Sequence, residues 1–393
     1  MNFTVLEPKV QDYIRKNENA NTTQLILKGS PFAGITPAEI AQQIEARKKA
    51  KRKLPTWYAA KQIYFPPGLN LEQTSSEITA KYKASLVKGK KLIDLTGGFG
   101  IDSFSFAEVI EQVIHVEQNK ELSQIAQHNF KQLSTQDNTT FICGDSIAHL
   151  ANSTQHYDTI FIDPARRDEL GGKVFRLQDC EPDVLSNLNL LTEKSDLVLI
   201  KTAPLLDIQL GLKELGSVKE IHIVAVNNEV KELLWLIDKN SSFQVKLICK
   251  NFAKDNTETF EAFIEEENQA KAEYAQPLQF LYEPNATLLK AGFFQLLAEK
   301  FQVKKIAQHS HLYTSEELIS FPGRRFKVIG SIPFSKKTMK SWSNKKANIT
   351  TRNFPISVET IRKKYKIKDG GVDYLFFTTT QDGEKIAFHT QKV

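Results

Sequence analysis

Four polar stops along one stretch of this 393-residue sequence carry the residue types that could do chemistry. The first is Asp94-Leu-Thr-Gly-Gly-Phe-Gly-Ile-Asp102, where an apolar run gives way to clustered glycines. Glycines at a strand-to-helix turn let a ligand approach the backbone and leave helix N–H groups available to it. Thr96 stands where a dinucleotide fingerprint has its first glycine, so GxGxxG is not met. The second stop, Glu117, follows 23 residues after Asp94, a position suited to hydrogen-bonding both hydroxyls of a ribose. The third is Gly144-Asp145, and the fourth is Asp163-Pro164-Ala165-Arg166-Arg167-Asp168. Any one of these acids alone reads as a helix cap or a solvated turn. Together, in this order, they describe a nucleoside-binding crevice at the carboxyl ends of parallel strands.

Such stops meet only if a parallel sheet aligns them, and the pattern around them predicts one. Unbroken apolar runs occur at 91–95, 113–117, 140–145, 159–163, 197–201 and 221–226, with helical stretches between most of them, including 103–111, 120–133 and 182–194. Apolar strands alternating with helices mean a doubly wound α/β sheet covered on both faces. The segments 243–252 and 259–267 read as edge strands. Residues 1–88 form a helical N-terminal segment, with a capping box at Thr36 and Glu39 and a second helix over 71–87. The polar stretch 267–277 reads as a linker. Beyond it, a helix over 282–301, strands at 326–334 and 372–380 and a basic helix at 357–368 make a small α+β domain. The expected domains are therefore 1–88, 89–270 and 278–393.

Charge divides along the same line. Residues 301–393 hold 18 Lys and Arg against 7 Asp and Glu, whereas the whole chain carries only +6. A basic module on a near-neutral body suggests a polyanionic partner, although lysine-rich surfaces also serve solubility. Arg324, Arg325, Lys363 and Lys364, with Lys336-Lys337 and Lys345-Lys346, interleave with Phe, Tyr and Trp342; cations neutralise phosphates and rings stack on unpaired bases. Three scattered cysteines and an N-terminus without an apolar leader point to a reduced, cytoplasmic protein. No apolar run is long enough to span a membrane, and the eight histidines form no metal-ligand cluster. Cys143 reads as a core residue, and Cys180 is flanked by acids that would raise a thiol pKa, which argues against a cysteine nucleophile.

The ordered set resembles the class I S-adenosylmethionine-dependent methyltransferases, and more narrowly a bacterial family with a THUMP-like domain after the catalytic one. Segments 72–84, 94–102, 115–119, 163–168, 174–185 and 226–234 carry the resemblance, with GRRFKVIG and the run from Arg352 to Tyr374. It implies a Rossmann-like, seven-stranded-type methyltransferase sheet and a ferredoxin-like or THUMP-like basic domain. It further implies that Asp94, Thr96, Gly98 and Gly100 line the methionine end of S-adenosylmethionine. Glu117 would hold the ribose and Asp145 the adenine, with Gln73 and Ser76 approaching from the preceding helix. Amine-methylating relatives often read Asp/Asn-Pro-Pro-aromatic. Here Asp163-Pro164 is kept, but Ala165-Arg166 replaces the second proline and the ring.

The expectation is an RNA methyltransferase in which Asp163, Pro164 and Arg166 sit at the reacting end. Lys201 and Asn227, at the ends of the fifth and sixth strands, are candidates for the substrate mouth, or else turn and cap residues. The alternatives are the same chemistry on a protein or small molecule, and a cofactor-binding protein without catalysis.

Overall fold

A computed structural model describes residues 2–66, 71, 74–133, 137–166, 176–238, 244–254 and 256–393. The chain forms two compact units, Met1–Lys219 with Leu234–Ser241 and Glu220–Leu233 with Ser242–Val393.

In the first unit, five strands rich in Ile, Leu, Val and Phe lie parallel: β1 (Lys91–Asp94), β2 (Gln112–Glu117), β3 (Thr139–Cys143), β4 (Tyr157–Ile162) and β5 (Ser195–Thr202). Their order is β3-β2-β1-β4-β5. The direction of winding reverses between β1 and β4, and ligands of open α/β sheets bind at such a switch point. Helices Ile101–Ala107, Lys120–Leu133, Ser146–Asn152 and Val184–Lys194 make the connections. The last two begin at aspartates, Asp145 and Asp183, that cap them through their side chains.

Helix Pro37–Lys53 opens with the expected capping box at Thr36 and Glu39. The helix expected over 71–87 is only Glu77–Ala84, because Ser76 and Thr79 form a second capping box that sets its start. Among the described residues, this N-terminal segment shares its apolar core with the sheet's helices. Ile40, Ile44, Trp57 and Phe65 share one apolar cluster with Phe99, Ile125 and Phe130, and the Trp57 and Phe99 rings lie 4.8 Å apart.

β6 (Val218–Val226) is followed by a strand that periodicity did not reveal, β7 (Glu229–Asp238). Its Leu233–Ile237 stretch is apolar on both faces, so there is no alternation to read. The local signal was Asn227-Asn228, whose φ values of 51° and 63° form a two-residue hairpin turn. β7 begins in the second unit and ends in the first. β8 (Lys246–Phe252) pairs in parallel with β6 and antiparallel with β9 (Thr257–Phe263), so of the two expected edge strands only β9 lies at the edge. The full order is β9-β8-β6-β7-β5-β4-β1-β2-β3.

The stretch expected as a linker is packed chain. It contributes helix Ile264–Gln269, and the Glu267 carboxylate accepts from the N–H groups of Gln295 at 2.8 Å and Leu296 at 2.9 Å. The single helix expected over 282–301 is instead β10 (Phe280–Pro284) and two short helices, Ala286–Ala291 and Gln295–Lys300, parted by Gly292 at φ +79°. The second sheet adds β11 (Lys304–Lys305), β12 (Tyr313–Ser315), β13 (Gly323–Pro333), β14 (Asn348–Thr351), β15 (Asp373–Thr379) and β16 (Lys385–Lys392). Its order is β11-β12-β10-β13-β16-β15-β14. Alternate residues of β15 feed two cores: Leu375 and Phe377 pack with Trp342 and Ile361, while Phe376 packs with Leu281 and Phe326.

Candidate active site

The Asp94 carboxylate, at the end of β1, is only 1% exposed. It accepts from the Ser103 hydroxyl at 2.5 Å and the Thr96 N–H at 3.0 Å. Burial nevertheless pushes its pKa from 3.8 up to about 7, and the nearby charges of Asp102 and Asp163 act in the same direction. The Thr96 hydroxyl accepts from the Asp163 N–H at 2.7 Å, tying the turn after β1 to the turn after β4. A glycine at position 96 would lack this tie.

The next glycines have separate jobs. A Cβ on Gly97 would lie 2.4 Å from the ring of His115, which is wholly buried. Burial lowers the His115 pKa to about 4, so the ring is neutral beneath the turn. Gly98, at φ +55°, donates its N–H to Glu117 Oε2 at 2.9 Å. Glu117 Oε1 accepts from the Asn119 N–H at 2.7 Å. Two backbone donors therefore fix this carboxylate at the end of β2. Gly100 is left-handed, and Phe130 crowds the place of its missing Cβ.

A cavity of about 370 Å³ opens where these turns converge. Thr96, Glu117, Asp145 and Asp163 line it, so the structure brings together one polar residue from the end of each of four strands, three of them acids. Glu181 and Asp183 also line it, which makes five carboxylates. A larger cleft, about 650 Å³, lies at the opposite ends of β1–β3, away from every one of these groups.

At the fourth stop the Asp163 carboxylate is ion-paired with Lys201, which β5 presents beside it. Pro164 is buried, and Ala165–Arg166 pairs with Cys180–Glu181 in a short antiparallel ribbon that walls the cavity. Gln73, Arg167, Asp168 and the side chain of Arg166 lie outside the described residues.

Several candidates have local structural work. The Ser76 side chain caps helix Glu77–Ala84, and Asp145 accepts from the Ala148 N–H at 2.8 Å. Asn227 and Asn228 belong to the second unit, where the Asn228 side chain accepts from the Ala286 N–H at 2.7 Å. Arg324 is no free surface cation: with Arg352 it grips Glu283, whose side chain is 3% exposed. Arg325 is half-buried, whereas Lys363 and Lys364 are exposed. The rings expected to stack on bases are in the core, Trp342 at 6% and Tyr365 at 7% exposure. Cys143, expected in the core, is exposed, because β3 is the last strand of its sheet and has a neighbour on one side only. Cys180 is buried.

Sequence reasoning missed the support beneath the glycine turn. Lys83 is wholly buried, 3.1 Å from an Asp102 oxygen and 3.0 Å from the Ser75 hydroxyl, which itself donates to Asp102 at 2.7 Å. No local pattern marks this lysine. His115, lying in an apolar run, offered a signal in being a polar residue at a buried position.

Segments of the chain match three families: RNA cap guanine-N2 methyltransferase over 89–180, ferredoxin-like domain over 280–322 and THUMP domain-like over 323–392. A crystal structure of a protein described as a methyltransferase, from Porphyromonas gingivalis W83, is 32% identical, with a TM-score of 0.89 over 99% of this chain and 98% of that one. The chain belongs to the class I methyltransferase family with a C-terminal THUMP-like domain. Two further structures align with parts of this methyltransferase at TM-scores below 0.5. One is the Pyrococcus abyssi tRNA (uracil-54, C5)-methyltransferase in complex with S-adenosyl-L-homocysteine (TM-score 0.29, 19% identity, 42% of this chain and 39% of that one). The other is the Synechocystis PCC 6803 magnesium protoporphyrin IX methyltransferase with bound SAM (0.34, 16%, 50% and 96%). No curated protein matches the sequence. Among the described residues, no helix is long and apolar enough to cross a membrane, and no group of three or more His, Cys, Asp or Glu could hold a metal.

Proposed function

We propose that this methyltransferase uses S-adenosylmethionine to methylate a nucleotide of RNA. The observation that carries the reading is the acidic cavity at the switch point, lined by five carboxylates. S-adenosylmethionine supplies a methyl group on a positively charged sulfur and also bears an ammonium group, so acids around the crevice favour it. Glu117 fits the ribose: each oxygen already holds one backbone N–H and keeps a lone pair for a hydroxyl. Asp145 uses one oxygen on its helix, which leaves the other for the adenine amine. Gly98 and Gly100, both at positive φ, keep the turn open to the methionine end, with Asp94 behind it.

Asp163 stands at the reacting end. Its backbone is held by Thr96 and its carboxylate by Lys201, so it can accept a proton-bearing acceptor group in a fixed orientation. The THUMP-like match and the positive charge of residues 301–393 support RNA as the partner. Incubation with methyl-labelled cofactor and extracts from a strain lacking the gene is expected to label RNA. Label in protein alone, or in small molecules alone, would exclude RNA. Asp163→Ala is expected to keep cofactor binding while losing most turnover; full activity in that variant would move the chemistry elsewhere.

A further inference from the structure

We infer that a lysine ridge on the THUMP-like module grips the phosphates of RNA by charge alone and reads no base. The inference rests on the RNA reading above and names the surface that would serve it.

Three segments of the module close on one apolar cluster formed by Met339, Trp342, Ala347, Ile361, Tyr365 and Ile367. Their backbones are joined where Lys368 N–H donates to Lys345 C=O at 2.8 Å and Ala347 N–H to Lys368 C=O at 3.0 Å. This bridge sets Lys345 and Lys346 beside Lys366 and Lys368, just after the last turn of helix Val358–Tyr365, which carries Lys363 and Lys364. All six are exposed, and among the described residues none is in an ion pair. Of the acids close by, Asp369 pairs with Arg362, Asp373 accepts from His389 and Gln391 while lying within electrostatic reach of Lys345, and Glu359 is exposed in the first turn of the same helix.

The means of reading bases are spent elsewhere. Of the four arginines in residues 301–393, Arg324 and Arg352 hold Glu283 and Arg362 holds Asp369. The planar forks that recognise base edges are therefore engaged, and Arg325 is half-buried. No Phe, Tyr or Trp in this range is fully exposed, and the half-buried rings of Phe301, Phe334, Phe354 and Tyr374 are packed against other rings. What faces solvent is a set of lysine point charges, which suit phosphates and do not discriminate sequence.

The test is anisotropy titration of the full chain with labelled poly(U), poly(A) and an RNA hairpin, across about 50–200 mM salt. The wild type is expected to bind all three within about threefold of one another, with affinity falling steeply as salt rises. The variant Lys346→Ala, Lys363→Ala, Lys364→Ala, Lys368→Ala should bind at least about tenfold more weakly at low salt. Its log–log salt slope should be flatter by about 3, at roughly 0.7–0.9 per lost phosphate contact. Lys366 is left in place because it is left-handed at φ +53°, and Lys345 because it lies within electrostatic reach of Asp373. Replacing the same four with arginine should restore binding, which separates lost charge from lost fold. Unchanged binding by the alanine variant would overturn the ridge while leaving RNA as the substrate. A strong base preference in the wild type would overturn the charge-only mode. Failure of the wild type to bind any of the three would overturn the ridge, while the methyl labelling of extracts decides the RNA reading separately.

Discussion

Glu117 shows how one side chain can be both anchored and available. Backbone N–H groups from the glycine turn and from Asn119 orient its carboxylate before any ligand arrives. Charged hydrogen bonds contribute roughly 1.5–3 kcal/mol each. Glu117→Ala should therefore weaken S-adenosylmethionine by about tenfold or more, and calorimetry showing unchanged affinity would remove Glu117 from the site. Asp94 adds a pH dependence. Burial lifts its pKa to about 7, so the folded chain holds this proton more tightly than the unfolded chain. The stabilisation from that proton is complete below 3.8 and is lost as pH rises through about 7. A cationic ligand acts oppositely, because it favours the carboxylate. Cofactor affinity should rise between about pH 6 and 8, with proton release on binding, and Asp94→Asn should flatten the profile. An affinity independent of pH would separate Asp94 from the cofactor.

Among the elements, the turn from β1 into helix Ile101–Ala107 is the most constrained. Gly97 faces the buried His115 ring and Gly100 faces Phe130, while Thr96 reaches across to the turn after β4. Gly97→Ala forces its methyl against a wholly buried imidazole. Overpacking of that kind costs about 1–3 kcal/mol, so the variant should melt several degrees lower and bind cofactor poorly. A wild-type melting temperature would mean that the ring moves easily. Gly98→Ala meets no such crowding and instead tests the left-handed backbone alone. The glycine cluster was legible in the sequence. Which glycine touches what was not, because His115 and Phe130 come from other elements.

At the scale of the molecule, the division between units does not fall at the polar stretch 267–277. β8 and β9 belong with the C-terminal modules. Buried Cys249 on β8 donates to the Thr287 carbonyl, the Glu258 carboxylate accepts from both Asn251 and Asn285, and the Phe260 ring packs against Phe293 and Phe301. A chain ending at Pro277 would strip these partners from β8 and β9. It should melt well below the full protein or aggregate, as calorimetry or light scattering would register. An equal melting temperature for residues 1–277 would show that the strands need no C-terminal support.

The sequence by itself determined the parallel sheet, the order of its polar stops and the basic C-terminal module. Those features follow from local periodicity, glycine conformation and charge count, all carried by neighbouring residues. It left β7 hidden, since a strand buried on both faces has no alternation. It read 267–277 as a tether, because polar residues that cap and pair look like polar residues in water. The tertiary structure alone decided which charges are spent and which are free. Arg324 and Lys363 are both basic residues in a basic domain, but a buried Glu283 lies within reach of one and solvent surrounds the other. Charge pairing and burial depend on what distant segments bring alongside, and no local pattern encodes that.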